Sequence, residues 1–177
     1  DDFETAAEHF EKTIYTCRDA ASRGVLGIAL VNAGYCCART GDPGRALEFT
    51  SEAEAVFKEA NDQNMLALVY RNYGSIEMRN SKYDRAFEWY EKSVRTAKAS
   101  GVRDTFAACC YEYGMALIKA GMNPKLSKKL LVRSSAVAGS GVSRPSGSSL
   151  RSPPASVPSV SFIPASDPSQ LARTQRD

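Results

Sequence analysis

Three glycines stand at one fixed step along the chain: Gly34 in NAG, Gly74 in NYG and Gly114 in EYG. The step is 40 residues, and Leu26, Leu66 and Phe106 keep it, as do Ala46 and Ala86. Two steps back from 83–94 (YDRAFEWYEKSV) lies 3–14 (FETAAEHFEKTI), with Ala6 on Ala86, Phe10 on Tyr90 and Glu11-Lys12 on Glu91-Lys92. Self-similarity at a period of roughly 20 to 50 residues marks a chain assembled from repeated supersecondary units. The unit is therefore the first thing to read.

Each unit reads as two helices. Over 25–39, Leu26, Leu30, Ala33, Gly34 and Cys37 recur at helical spacing. The run stops at TGDPG, where Gly41 suits a C-terminal cap and Pro43-Gly44 a turn. Residues 45–60 then repeat the pattern through Ala46, Leu47, Phe49, Ala53, Val56 and Phe57. The next unit carries Leu66, Tyr70, Tyr73 and Gly74 on its first helix and Ala86, Phe87, Tyr90 and Val94 on its second. Phe106, Cys110, Tyr113, Gly114 and Leu117 open a third. No segment alternates polar and apolar residues over a strand's length. A glycine inside a helix costs about 1 kcal/mol, so three in register need a structural reason: with Ala46 and Ala86 opposite, they let paired helices approach closely. One pair cannot bury its apolar face alone, so neighbours stack. The predicted fold is all-α, an α-solenoid of antiparallel helix pairs over 1–133. It comprises a half-repeat (1–22), repeats over 25–60 and 64–100, and a partial repeat over 104–133.

Tyr70, Tyr73-Gly74, Tyr83, Ala86 and Tyr90, together with Phe3, Ala6 and Phe10, resemble the pattern of the tetratricopeptide repeat (TPR) family over about residues 1–122. The family's usual period is 34; a step of 40 is similar to its long-helix variety. Pro43, Thr50 and Glu77 depart from the pattern, each standing where an aromatic is common. The resemblance implies a superhelix whose concave groove takes a peptide or protein segment, with an Asn on the first helix touching the ligand's main chain.

The pattern breaks after Asn123. Leu126 takes the small position of Ala86, and Lys129 and Arg133 fall where Trp89 and Ser93 stand one step earlier. From Ser134 onward the chain is rich in Ser and Pro and has no Lys, Trp or Tyr. Such a stretch cannot bury enough apolar surface to offset its chain entropy, so 134–177 is expected to be a disordered tail. The break suggests an alternative C-terminus from about 124. The start at Asp1-Asp2, inside a half-repeat, reads as a fragment of a longer protein.

Net charge is only +3, from 23 Lys/Arg against 20 Asp/Glu, which marks neither a nucleic-acid nor a membrane binder. No apolar run approaches the roughly 20 residues of a membrane helix. Cys17, Cys36, Cys37, Cys109 and Cys110 all fall within helical patterns, and they read as small buried apolar residues in a reducing, cytoplasmic setting. Metal-site spacing is missing, His9 is the sole histidine, and GDPGR (41–45) lacks the Lys-Ser/Thr of a P-loop. No catalytic residues, cofactor or metal are expected, and the chain reads as a non-enzyme.

A binding surface is expected instead. With Leu30, Ala33, Gly34 and Cys37 facing the partner helix, Asn32, Tyr35 and Arg39 face away, toward the concave side. Their counterparts are Arg71, Asn72, Ser75 and Arg79, then Tyr111 and Glu112. Asn32 and Asn72 would pair with a ligand's main chain. Arg39, Arg71 and Arg79 would favour carboxylates, although Arg39 and Arg79 also complement helix C-termini. Tyr35 and Tyr111 would offer flat contacts. Glu112 would end the peptide path or meet a basic residue. KLSKKLLVR (125–133) reads foremost as a last, fraying helix, with an acidic membrane or nucleic acid as the alternative contact. The reading is a protein-interaction module, an adaptor or scaffold; the alternative is a ligand-sensing regulatory module of a larger signalling or transcription-regulating protein.

Overall fold

A computed structural model of the protein describes residues 2–19 and 22–138. Seven helices make up the described residues, with no strand: α1 (Phe3–Asp19), α2 (Arg23–Thr40), α3 (Pro43–Glu59), α4 (Gln63–Arg79), α5 (Tyr83–Ser100), α6 (Arg103–Lys119) and α7 (Pro124–Ala138). The turns do what their residues dictate. Gly41 ends α2 with φ 93°, a left-handed conformation that glycine adopts without a Cβ clash. Asp42 then caps α3, its carboxylate accepting the Arg45 N–H at 3.0 Å ahead of Pro43. Asp62 caps α4 in the same way through the Met65 N–H, and Asn123 caps α7 through Leu126.

Every helix packs on its neighbour in the chain. Beyond that, α2 packs on α4 and α4 on α6, whereas the odd-numbered helices do not pack on one another. The even helices therefore form an inner layer and the odd ones an outer layer. Central α4 touches α2, α3, α5 and α6, so it is buried on nearly every side, from Met65 through Asn72 without interruption.

The glycines set the spacing within pairs. A Cβ on Gly34 would lie 2.7 Å from Thr50 Oγ1 and 3.4 Å from the Ala46 carbonyl. On Gly74 it would lie 2.9 Å from the Tyr90 ring, and on Gly114 it would lie 3.0 Å from Leu131 and 3.3 Å from the Ser127 carbonyl. Distances under 3.0 Å essentially never occur between real Cβ atoms and their neighbours, so a methyl group at Gly34 or Gly74 would force its neighbour to shift, and at Gly114 it would meet an unusually tight contact. Opposite them Ala46 and Ala86 are fully buried.

Those contacts correct the reading of α7. The repeat does not break there; it slips by one residue. The α4–α5 turn spans 80–82 and the α6–α7 turn spans 120–123, one residue longer, so equivalent positions on α7 lie 41 rather than 40 further on. Ser127 then takes the place of Ala86, Leu131 that of Tyr90 at the repeat glycine, and Ser134 that of buried Ser93. Ser127, Leu130 and Ser134 are buried, so α7 packs along its length on α6, and the helix continues to Ala138, past the expected boundary at 133. Residues 139–177, most of the expected tail, lie outside the described residues.

Candidate functional site

The inner layer places the nine expected groove residues in two groups. Five are buried: Asn32, Tyr35, Arg71, Asn72 and Glu112. Apart from Glu112, whose edge reaches the cleft described below, they do not face an open groove, because the flank of each even helix that turns away from its outer partner packs on a neighbouring even helix. Asn72 is fully buried, and its amide N–H donates to the Val31 carbonyl of α2 at 2.8 Å. The residue expected to hold a ligand's main chain holds this chain's own. Asn32 buries its amide nitrogen with no hydrogen-bond partner, and no ladder of asparagines forms.

Tyr35 is the centre of the buried group. Its hydroxyl donates to Glu112 Oε1 of α6 at 3.2 Å, which ties the first inner helix to the third across α4. The Arg71 guanidinium of α4 lies 4.7 Å from the Tyr35 ring centroid, a cation–π contact, and reaches Asn72 Oδ1 at 3.4 Å. Phe3 of α1 meets the same ring edge-on at 6.1 Å. Burial first, and then the Glu112 carboxylate, pushes the Tyr35 hydroxyl up to about 12, so it remains a donor over the physiological range. These side chains fill the middle of the inner face with their own contacts.

The other group lies toward the C-terminal ends of the even helices, where a cleft of about 280 Å³ remains. Arg39, Ser75, Arg79 and Glu112 line it, with Met78, Met115, Tyr90 and Lys119. Its base is polar: Ser75 and Tyr90 share a hydroxyl–hydroxyl bond of 3.1 Å, beside the Glu112 carboxylate that Tyr35 holds from behind. Met78 and exposed Met115 supply apolar wall. Arg39, Arg79 and Lys119 supply the charge. The Arg79 guanidinium donates to the Arg39 carbonyl at the end of α2, and the Arg39 guanidinium lies 5.2 Å from the Phe3 ring centroid. Both therefore keep the structural roles that helix C-termini offer cations and still border the cleft.

Of the nine, the structure brings together Arg39, Ser75, Arg79 and Glu112, places Tyr35, Arg71 and Asn72 in the packed layer behind them, and leaves Asn32 and half-buried Tyr111 outside the cleft lining. The sequence reading missed Lys119, Met78 and Tyr90. Lys119 was within reach: 39, 79 and 119 keep the step of 40. Cys36, Cys37, Cys109 and Cys110 are buried and unpaired, and Cys17 is half-buried and unpaired. Among the described residues no group of three or more His, Cys, Asp or Glu is placed to hold a metal ion, and no helix is long and apolar enough to cross a membrane. Comparison with protein-family models, curated proteins and solved structures returns no match.

Proposed function

We propose that this chain is a tetratricopeptide-like α-solenoid that binds a segment of another protein, in the role of an adaptor or scaffold. The step of 40, the close contact at each repeat glycine and the layering of even and odd helices support the solenoid. The observation that carries the binding reading is the cleft. It gathers side chains of α2, α4, α5 and α6, so that no single unit makes it, and it mixes methionine walls with hydroxyls and charges. Pockets of this size and mixture take one or a few side chains of a ligand, with polar groups fixing its orientation.

A steric block tests this. Met115 is 41% exposed at the cleft wall, so Met115→Trp fills the cleft from a position that tolerates bulk. Peptide display against the wild type is expected to enrich a set of segments that Met115→Trp, folded by circular dichroism, no longer retains. The same segments enriched equally by both proteins would overturn the assignment of binding to the cleft.

A further inference from the structure

We propose that the outward face of α7 holds the protein against an anionic lipid surface. The inference is independent of the cleft. It takes up the basic run KLSKKLLVR (125–133), which no part of the cleft uses.

The fold turns that run into a face. At about 100° per residue, Lys125, Lys128, Lys129, Val132, Arg133 and Ala136 fall within about 140° of arc on one side of α7, and all six are exposed. Ser127, Leu130 and Ser134 lie opposite and are buried. Among the described residues α6 is the one helix that α7 packs on, so the outward face has no neighbour. The cations therefore sit on a packed helix, not on a fraying end.

Charge sets α7 apart from the other outer helices. Both α1 and α3 set four carboxylates against two Lys/Arg, and α5 sets three against four. In α7 none stands against four. The absence extends past the helix: no Asp or Glu occurs from Tyr113 to Ser166, a stretch with seven Lys/Arg. Before Tyr113 carboxylates outnumber cations. The whole-chain charge of +3, on which the expectation of no membrane partner rested, averages two regions of opposite sign.

Three features select lipid among anionic partners. Val132 is 59% exposed in the middle of the cationic arc. At a membrane surface an apolar side chain enters the headgroup boundary while the cations around it meet anionic headgroups, and lysine stems are long enough to reach past it. Three of the four cations are lysines, flexible point charges suited to a diffuse negative surface; the planar fork of arginine is the group that nucleic-acid recognition favours. Finally, α7 contains no aromatic residue on which a base could stack. No described helix is long and apolar enough to cross a membrane, and the contact proposed is with the surface alone.

The test is co-sedimentation of the full chain with vesicles of phosphatidylcholine alone or mixed with phosphatidylserine. Sedimentation is expected with the mixed vesicles only, and it is expected to fall as salt rises. Each cation near such a surface contributes about fivefold, so Lys128→Ala/Lys129→Ala is expected to weaken association about 25-fold. Val132→Ser is expected to weaken it about threefold. Arg95→Ala/Lys98→Ala, which removes two exposed charges from α5, is expected to leave it unchanged. All four positions on α7 and α5 that lose a charge are exposed, and circular dichroism checks that each variant stays folded. Equal loss on the α5 and α7 variants would mean general charge attraction and overturn the proposal. Val132→Ser without effect would remove the apolar contact on which the choice of lipid rests, and would overturn it too. So would absence of vesicle binding at low ionic strength, or binding of short duplex DNA in its place with loss on the α7 variant.

Discussion

The inner and outer helices solve opposite problems. An outer helix such as α5 fully buries one row of small or flat residues, Ala86, Tyr90, Ser93 and Ala97, half-buries Phe87, Trp89 and Val94 beside it, and gives its far side to water. Its charges, and those of α3, meet carboxylates at the surface, as in Lys58–Glu54 at 2.8 Å and Arg85–Glu77 at 3.3 Å. An inner helix such as α4 has little surface to give. Some of its polar side chains find partners on neighbouring inner helices, as Asn72 does in the Val31 carbonyl and Glu112 of α6 does in Tyr35 of α2, while Tyr73, Ser75 and Glu77 reach outward to Glu54, Tyr90 and Arg85. Both layers carry polar bonds between units: buried ones along the inner layer, as Asn72–Val31 and Tyr35–Glu112, and exposed ion pairs along the outer one, as Arg18–Glu52 and Arg45–Glu11 between α1 and α3. The molecule is held by apolar contact between layers and by polar contact along the inner layer.

This contrast can be broken most directly at the glycines that join the layers. Gly34→Val places atoms where Thr50 and the Ala46 carbonyl stand, and forced overpacking of this kind costs about 3 kcal/mol. Urea unfolding is expected to show that loss. Gly24→Ala, where a Cβ meets nothing within 4 Å, is expected to gain about 0.5–1 kcal/mol instead. Equal effects at the two sites would remove close approach as the reason for the repeat glycines.

Within the inner layer, Asn72→Ala removes the bond to Val31 and leaves a small cavity. About 2 kcal/mol of stability is expected to go, measured by the same unfolding. A loss under about 0.5 kcal/mol would mean that Asn72 is a surface residue after all, as its sequence position had suggested.

High pH sharpens the contrast next. Burial raises the Cys36 and Cys110 thiols from 9.0 to about 11 and, with Glu112, raises Tyr35 from 10.0 to about 12. Folded values above unfolded ones mean that the neutral forms' contribution is intact below about pH 9 and is lost as pH climbs through 11 to 12. Urea midpoints are expected to be flat from pH 7 to 9 and to fall thereafter. Tyrosinate absorbance should also lag behind that of the urea-unfolded chain. The exposed ion pairs should matter least. Arg23→Ala removes a bridge to Glu59 whose two side chains are 66% and 61% exposed, and it is expected to shift stability by less than about 0.5 kcal/mol.

The same contrast explains what was legible in the sequence. Helix pairs and their glycines could be read because outer helices bury one face, and a one-sided face leaves a periodic trace. The trace misleads on an inner helix, which is covered on several flanks. Asn32, Asn72 and Glu112 lie opposite the repeat glycine and look outward in a two-helix picture, yet a third helix stands there. The one-residue slip that hid the repeat in α7 sits in a turn, where length is free to vary while the packing of Ser127, Leu131 and Ser134 is not. Tyr35–Glu112 spans 77 residues, and no local pattern announces a contact of that length. Arg39 and Arg79 were legible as a pair, and the same step that aligned them also reaches Lys119.

The cleft is flanked by two of the chain's four methionines, Met78 and Met115, while Met65 lies buried in the core and Met122 lies beside Tyr83 on another surface. A methyl-labelled methionine spectrum, titrated with a segment enriched by display, therefore reads the location of binding in one experiment. The expected result is movement of the Met78 and Met115 methyl signals with Met65 and Met122 unmoved. Movement of Met122 alone, or of no methionine at a saturating segment, would contradict the cleft.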